Sequence, residues 1–131
     1  MLTSDCRCKT LDTSADGYAR SEYSGCGFLS LLERASSIPK ALVRGWTVNQ
    51  DGRSSSLTSP NGPAQLEMLQ DALAFARLSA ESLSMLGMHG TGTALGDPIE
   101  IGSIGACVGR SSTSAQYPII IMASKSFHGH A

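Results

Sequence analysis

The stretch "MHGTGTALGDPIE", which begins at Met88, sets one histidine, His89, before a run of glycines and threonines that closes on Asp97-Pro98-Ile99-Glu100. A second cluster ends the chain, where "KSFHGHA" carries Lys125, His128 and His130. Imidazole and ammonium groups donate hydrogen bonds, and glycine lets a ligand come close to main-chain N–H groups. Thr91 and Thr93 add hydroxyls at alternate positions. No nucleophile near either cluster has an obvious activating partner. Together these groups suit the stabilisation of negative charge on an oxygen, because preorganised donors aimed at a developing oxyanion supply much of the rate acceleration in many enzymes. Histidine fits a role in proton exchange near neutral pH as well.

The two clusters lie far apart in the chain, so the elements between them must bring them together. "LSMLGM" at 83–88 reads as a short strand that runs straight into His89. Asp97, Pro98 and Glu100 supply the cap, first position and third position of a helix start. Ile99, Ile101, Ile104 and Val108 then recur along that helix, and Gly109 marks its end. After the loop "RSSTSAQ", the apolar run "PIIIMAS" reads as a fully buried strand leading to Lys125. Strand, glycine-rich loop, helix and strand make a βαβ unit with parallel strands. Parallel strands place their C-terminal ends on one edge, so His89 is expected on the same rim as Lys125, His128 and His130, where open α/β sheets bind ligands.

Upstream of this unit the signals are simpler. Residues 1–20 read as a loop, "GCGFLSLLERA" from Gly25 as an opening strand, and 41–48 as a strand with Leu42, Trp46 and Val48 on one face. "NQDGRSSSLTSPNGP" is a polar loop dense in turn residues. Pro63 opens the clearest helix, along which Leu66, Leu69, Leu73 and Ala76 recur at helical spacing.

At 131 residues, with 41% hydrophobic and 16% charged side chains, the chain is at most one globular domain. A net charge of -1 and the lack of any basic run argue against a nucleic-acid partner. The longest apolar run is too short to span a membrane. The N-terminus has no apolar signal core, and Cys6, Cys8, Cys26 and Cys107 follow no disulfide-framework spacing. Reduced thiols in a cytoplasmic protein are therefore expected, with a plastid as the other compatible compartment.

Four segments resemble one family. "HGTGTALGDPIE" is similar to the histidine motif of β-ketoacyl synthases, in particular the ketosynthase domains of type I modular polyketide synthases. "VNQDGRSSSLTSPNGPAQ" resembles that family's "VNQDGRSNGLTAPNGPAQ", "RCKTLDTSADGYAR" its "RCKxFDxxADGYxR", and "KSFHGH" its second histidine motif "KSNxGH". The segments stand in family order and spacing over nearly the whole chain. The resemblance implies a thiolase-like, layered α/β fold of two similar halves. Residues 1–45 would be the end of the N-terminal half and 46–131 the start of the C-terminal half, an incomplete portion that contains the βαβ unit. It implies decarboxylative Claisen condensation of a malonyl-type extender with an enzyme-bound acyl group, in polyketide or fatty acid biosynthesis. On the same grounds His89 and His130 are the catalytic histidines, Lys125 orders the site, and Thr91 and Thr93 bind the phosphopantetheine arm. No cofactor is bound directly, since acyl carrier protein brings acyl and malonyl thioesters on its phosphopantetheine. The intact protein would be a homodimer.

The chain departs from the family pattern in places. The family's nucleophilic cysteine sits in a "TACSS"-like elbow, and none of the four cysteines here has that context; Cys8 matches the non-catalytic cysteine of "RCK". These residues alone are therefore expected to be inactive. "RSEYSGCG" stands where the family has "RGEGCG", Gly87 and Met88 replace its Glu-Ala, and Phe127 replaces the asparagine of "KSN". Two other readings stand beside the enzyme. One is a catalytically silent ketosynthase-like scaffold or docking protein. The other is a zinc hydrolase using His89, His128 and His130, since three histidines and an open water position can hold catalytic zinc.

Overall fold

The computed structural model describes residues 2–35, 37–52, 59–109 and 118–131. Its elements are helix α1 (Gly62–Ala76), strand β1 (Met85–Gly87), helix α2 (Gly96–Val108), strand β2 (Ile120–Met122) and the single-turn helix α3 (Lys125–His128). Two 3-10 turns, Leu32–Arg34 and Ala80–Ser82, complete them.

Helix α1 starts where the sequence places a start. The Asn61 side chain accepts the Ala64 N–H at 3.3 Å, and Pro63 lies in the first turn, where a missing N–H leaves no helical bond unmade. The helix ends at Arg77, which takes the left-handed conformation (φ 54°) and returns its N–H to Ala74 at 3.0 Å. Leu66, Leu69 and Leu73 are half-buried and Ala76 is buried, which gives α1 one apolar face. That face packs on α2. Ser103 ties the two helices together, since its hydroxyl lies 3.0 Å from the Gly62 carbonyl and 2.9 Å from the Ile99 carbonyl.

Strands β1 and β2 pair in parallel, with Met85 opposite Ile120, Leu86 opposite Ile121 and Gly87 opposite Met122. With α2 between them in sequence, this is the expected βαβ unit. The Met88 N–H donates to the Met122 carbonyl at 2.9 Å, which carries the pairing up to His89. Strand β2 is not the fully buried strand its composition suggests: Ile120, Ile121 and Met122 are 57%, 37% and 43% exposed. An apolar strand is buried on both faces only when layers cover both faces, and the described residues supply one neighbouring strand.

Two further expectations fail for a related reason. Neither the segment from Gly25 nor residues 41–48 form a strand. A strand needs a partner ladder for its N–H and C=O groups, and none is available to either segment among the described residues. Instead residues 44–49 run along α1. Arg44 Nη2 donates to the Ala76 carbonyl at 3.4 Å, Asn49 Nδ2 donates to the Ala64 carbonyl at 2.7 Å, and the Trp46 and Phe75 rings meet at 6.3 Å. The start of α2 also differs from the expected cap. Asp97 lies inside the first turn, and the helix begins at Gly96, whose N–H donates to Thr93 Oγ1 at 3.1 Å.

Residues 2–21 form no long element, as expected of a loop, yet they are firmly held. Lys9 Nζ lies 2.8 Å from Asp16 and 3.3 Å from Asp5, and the Thr3 hydroxyl donates to both carboxylates. Cys8 is buried, and its sulfur accepts the Ala19 N–H at 3.3 Å. This thiol is a structural group.

Candidate active site

The βαβ unit brings the two histidine segments to one edge. His89 leaves the C-terminal end of β1, and Lys125 follows β2 directly at the start of α3. Beyond α3, Gly129 (φ 78°) turns the chain back, and His130 joins residues 19–21: its N–H donates to the Ala19 carbonyl at 2.7 Å and its carbonyl accepts the Ser21 N–H at 3.0 Å. The result is a pair of imidazoles. The rings of His89 and His130 lie 5.1 Å apart, edge to face at 90°. On its other side the His130 ring meets Tyr18 at 5.3 Å.

The loop that carries His89 is fixed by two carboxylates from α2. Glu100 accepts the His89 N–H through Oε1 and the Gly90 N–H through Oε2, the latter at 2.9 Å. Asp97, almost fully buried, accepts the Gly92 N–H at 3.1 Å and the Leu11 N–H at 2.9 Å. The second contact holds Leu11 at φ 59°, a conformation costly for a side chain with a Cβ. The loop carbonyls are taken as well: Thr10 Oγ1 donates to Gly90 O at 2.6 Å, and Gly17 N–H donates to Gly92 O at 3.1 Å.

This corrects one part of the sequence reading. The loop glycines do not leave their N–H groups free for a ligand, because Glu100 and Asp97 already hold them. The close approach that glycine allows is made by the chain itself. At Gly92 (φ 78°) a Cβ would stand 2.5 Å from the Lys9 nitrogen, and at Gly90 (φ 51°) 2.6 Å from the Ala123 Cβ. Donors that face a substrate must therefore come from side chains.

Thr91 is buried and Thr93 half-buried, with their hydroxyls 3.5 Å apart. The Thr93 hydroxyl also accepts the Gly96 N–H at the head of α2. Lys125 is half-buried, and its charge acts on His89. The pKa of His89 is lowered from the ordinary 6.5, first because burial of the ring penalises the cation, then because of the Lys125 charge; Glu100 pulls the other way. His89 is thus held toward the neutral form, which still donates through one N–H.

His128 does not join the pair. Its ring packs on Tyr23 at 5.7 Å, and among the described residues no group of three or more His, Cys, Asp or Glu side chains is placed to hold a metal ion. The ligand set that a three-histidine zinc centre requires is therefore not assembled.

Tyr18, Thr10, Gly17 and the positioning work of Asp97 and Glu100 are not legible in the sequence. The one signal for Glu100 is its place three residues after Asp97, a pattern that reads as helix capping.

Residues 40–131 match the family described as "Beta-ketoacyl synthase, C-terminal domain". The chain belongs to the β-ketoacyl synthase family. Over 99% of its length it is 44% identical to a phenolphthiocerol/phthiocerol polyketide synthase of Mycobacterium tuberculosis, and over 98% it is 46% identical to polyketide synthase GfsA of Streptomyces halstedii. It spans 6% and 2% of those two proteins, so it corresponds to one segment of much longer chains. Among solved structures, the oxazolomycin ketosynthase domain OzmH KS7 of Streptomyces albus JA3453 matches 99% of the chain with a TM-score of 0.83 and 31% identity. The ketosynthase from module 6 of the Bacillus subtilis 168 bacillaene synthase matches it at a TM-score of 0.80 and 28% identity. The chain covers 23% and 24% of these two. The fold is accordingly a partial, thiolase-like α/β fold.

Proposed function

We propose that the full-length protein is a ketosynthase that condenses a malonyl-type extender with an enzyme-bound acyl group, and that His89 and His130 stabilise the enolate formed on the way. The observation that supports this most is the imidazole pair, its rings 5.1 Å apart, with His89 at the end of β1 and His130 returned to it beyond α3. One carbonyl oxygen within reach of a ring N–H of each can take a hydrogen bond from both. When carbon dioxide leaves the malonyl group, the electron pair of the broken C–C bond moves onto the thioester oxygen, where those donors await it. The carbanion then attacks the acyl thioester carbonyl and expels the enzyme thiolate, whose cysteine lies outside these 131 residues. Lys125 orders the pair and adds to the burial that favours the neutral form of His89. Thr91 and Thr93 bind the phosphopantetheine arm on which acyl carrier protein presents its thioesters. We read residues 1–45 as the end of one ketosynthase half and 46–131 as the start of the next, in a cytoplasmic homodimer.

The test is release of carbon dioxide from a malonyl thioester by the purified full-length protein. The wild type is expected to release it, and His89→Ala to lower kcat by about 10²–10³-fold. Equal rates in the two proteins would reject the assignment, and a wild type with no turnover would favour a silent scaffold.

A further inference from the structure

The extended stretch beside His130 holds a cation that the reaction outlined above leaves unused. Arg20 pairs with His130 across an isolated parallel bridge, which fixes its backbone next to that of the histidine. Tyr18, Arg20 and Glu22 alternate along this stretch, and with Ser21, His130 and Ala131 they line an open cleft of about 640 Å³. Alternate residues of an extended segment share one face. The guanidinium makes no ion pair or hydrogen bond among the described residues. Glu22, on the same wall, does not neutralise it through a salt bridge. The Ser21 hydroxyl oxygen is buried without a hydrogen-bond partner among the described residues.

Resting on the ketosynthase reading, we infer that Arg20 binds the free carboxylate of the extender and so distinguishes malonyl-type from plain acyl thioesters. The bridge that sets Arg20 beside His130 favours this anion over the phosphodiester of the carrier arm. In a malonyl thioester the carboxylate is separated from the thioester carbonyl by one methylene, so an oxygen held by the imidazoles keeps the carboxylate within a few ångströms of them. The phosphodiester lies at the far end of the pantetheine. Guanidinium matches carboxylate as a planar, bidentate fork. Such a contact carries a kinetic signature. It is made in the ground state and fades as the carboxylate becomes neutral carbon dioxide, so it lowers KM without raising kcat.

The experiment compares the full-length wild type with Arg20→Gln and Arg20→Lys, using malonyl-N-acetylcysteamine, which has no phosphate, and acetyl-N-acetylcysteamine. Arg20→Gln should raise KM for malonyl about tenfold or more while kcat holds or rises. Acetyl loading should stay unchanged, and Arg20→Lys should recover part of the loss. An unchanged malonyl KM overturns the inference, as does an equal loss with both thioesters. Calorimetric binding of a malonyl amide against an acetyl amide, neither of which reacts, separates this inference from the functional reading. A preference for the malonyl amide that vanishes in Arg20→Gln supports the carboxylate contact even in a protein that does not turn over, and no preference in the wild type rejects it.

Discussion

Replacing Glu100 by glutamine tests how the histidine loop is held. The carboxylate spans from α2 to two successive N–H groups, those of His89 and Gly90. Each hydrogen bond to a charged group is worth about 1.5–3 kcal/mol. An amide keeps one acceptor oxygen but turns its NH2 toward the other N–H, so at least one bond is lost and two donors face each other. The loop should loosen by about that one bond, and His89 should drift from the oxygen it serves. A displacement of about 1 Å can cost about 10²-fold in rate. In malonyl-thioester decarboxylation by the full-length protein, Glu100→Gln should therefore lose one to two orders of magnitude in kcat, with a small fall in melting temperature. Glu100→Asp keeps the charge and should recover part of the rate. A Glu100→Gln protein with kcat within about twofold of wild type would refute this account of the loop.

Other outcomes follow from the same geometry. Gly92→Ala forces a Cβ against the Lys9 backbone at a positive φ, and should cost about 2–5 kcal/mol in a denaturant titration of the full-length protein. The lowered pKa of His89 means that it binds fewer protons folded than unfolded, so its contribution to stability is complete above 6.5 and is lost as pH falls through the folded value. The acid limb of kcat/KM should lie below 6.5 for the same reason, and Lys125→Met, by removing a cation, should move it upward; a limb that stays in place would reject the electrostatic link. Expressed alone, the 131 residues expose Phe28 (95%), Ile38 (93%) and Leu29 (83%), so they should bind a hydrophobic dye and show no sharp melting transition. A cooperative monomeric transition would contradict that.

How much the residues disclose differs from element to element. The start of α1, the parallel pairing and the meeting of His89 with His130 are all readable, because a proline and apolar runs act locally. Burial is not readable. "PIIIMAS" has the composition of a central strand, yet β2 is exposed, since burial depends on layers that these residues do not supply. The expected strand at 41–48 fails likewise, for Leu42, Trp46 and Val48 fit a pleated surface but meet no ladder among the described residues. Asp97 and Glu100 read as a helix start, while their reach to Gly92, Leu11, His89 and Gly90 stays hidden. That reach depends on a loop folding back over the helix, which spacing alone does not reveal. For His89 and Lys125, position in the sequence carries over to position in space because parallel strands share a carboxyl edge, while His130 completes the pair through the turn at Gly129 and its bridge to Arg20.

The central claim is that the imidazoles at 89 and 130 serve one oxygen. A double-mutant cycle on malonyl-thioester decarboxylation by the full-length protein tests it most directly, with His89→Ala, His130→Ala and the pair together. Groups that act as a unit give non-additive losses, so each single variant should fall by about 10²–10³-fold and the double variant only slightly further. Losses that multiply, or a single variant that keeps the wild-type rate, would show that the two rings act on different atoms.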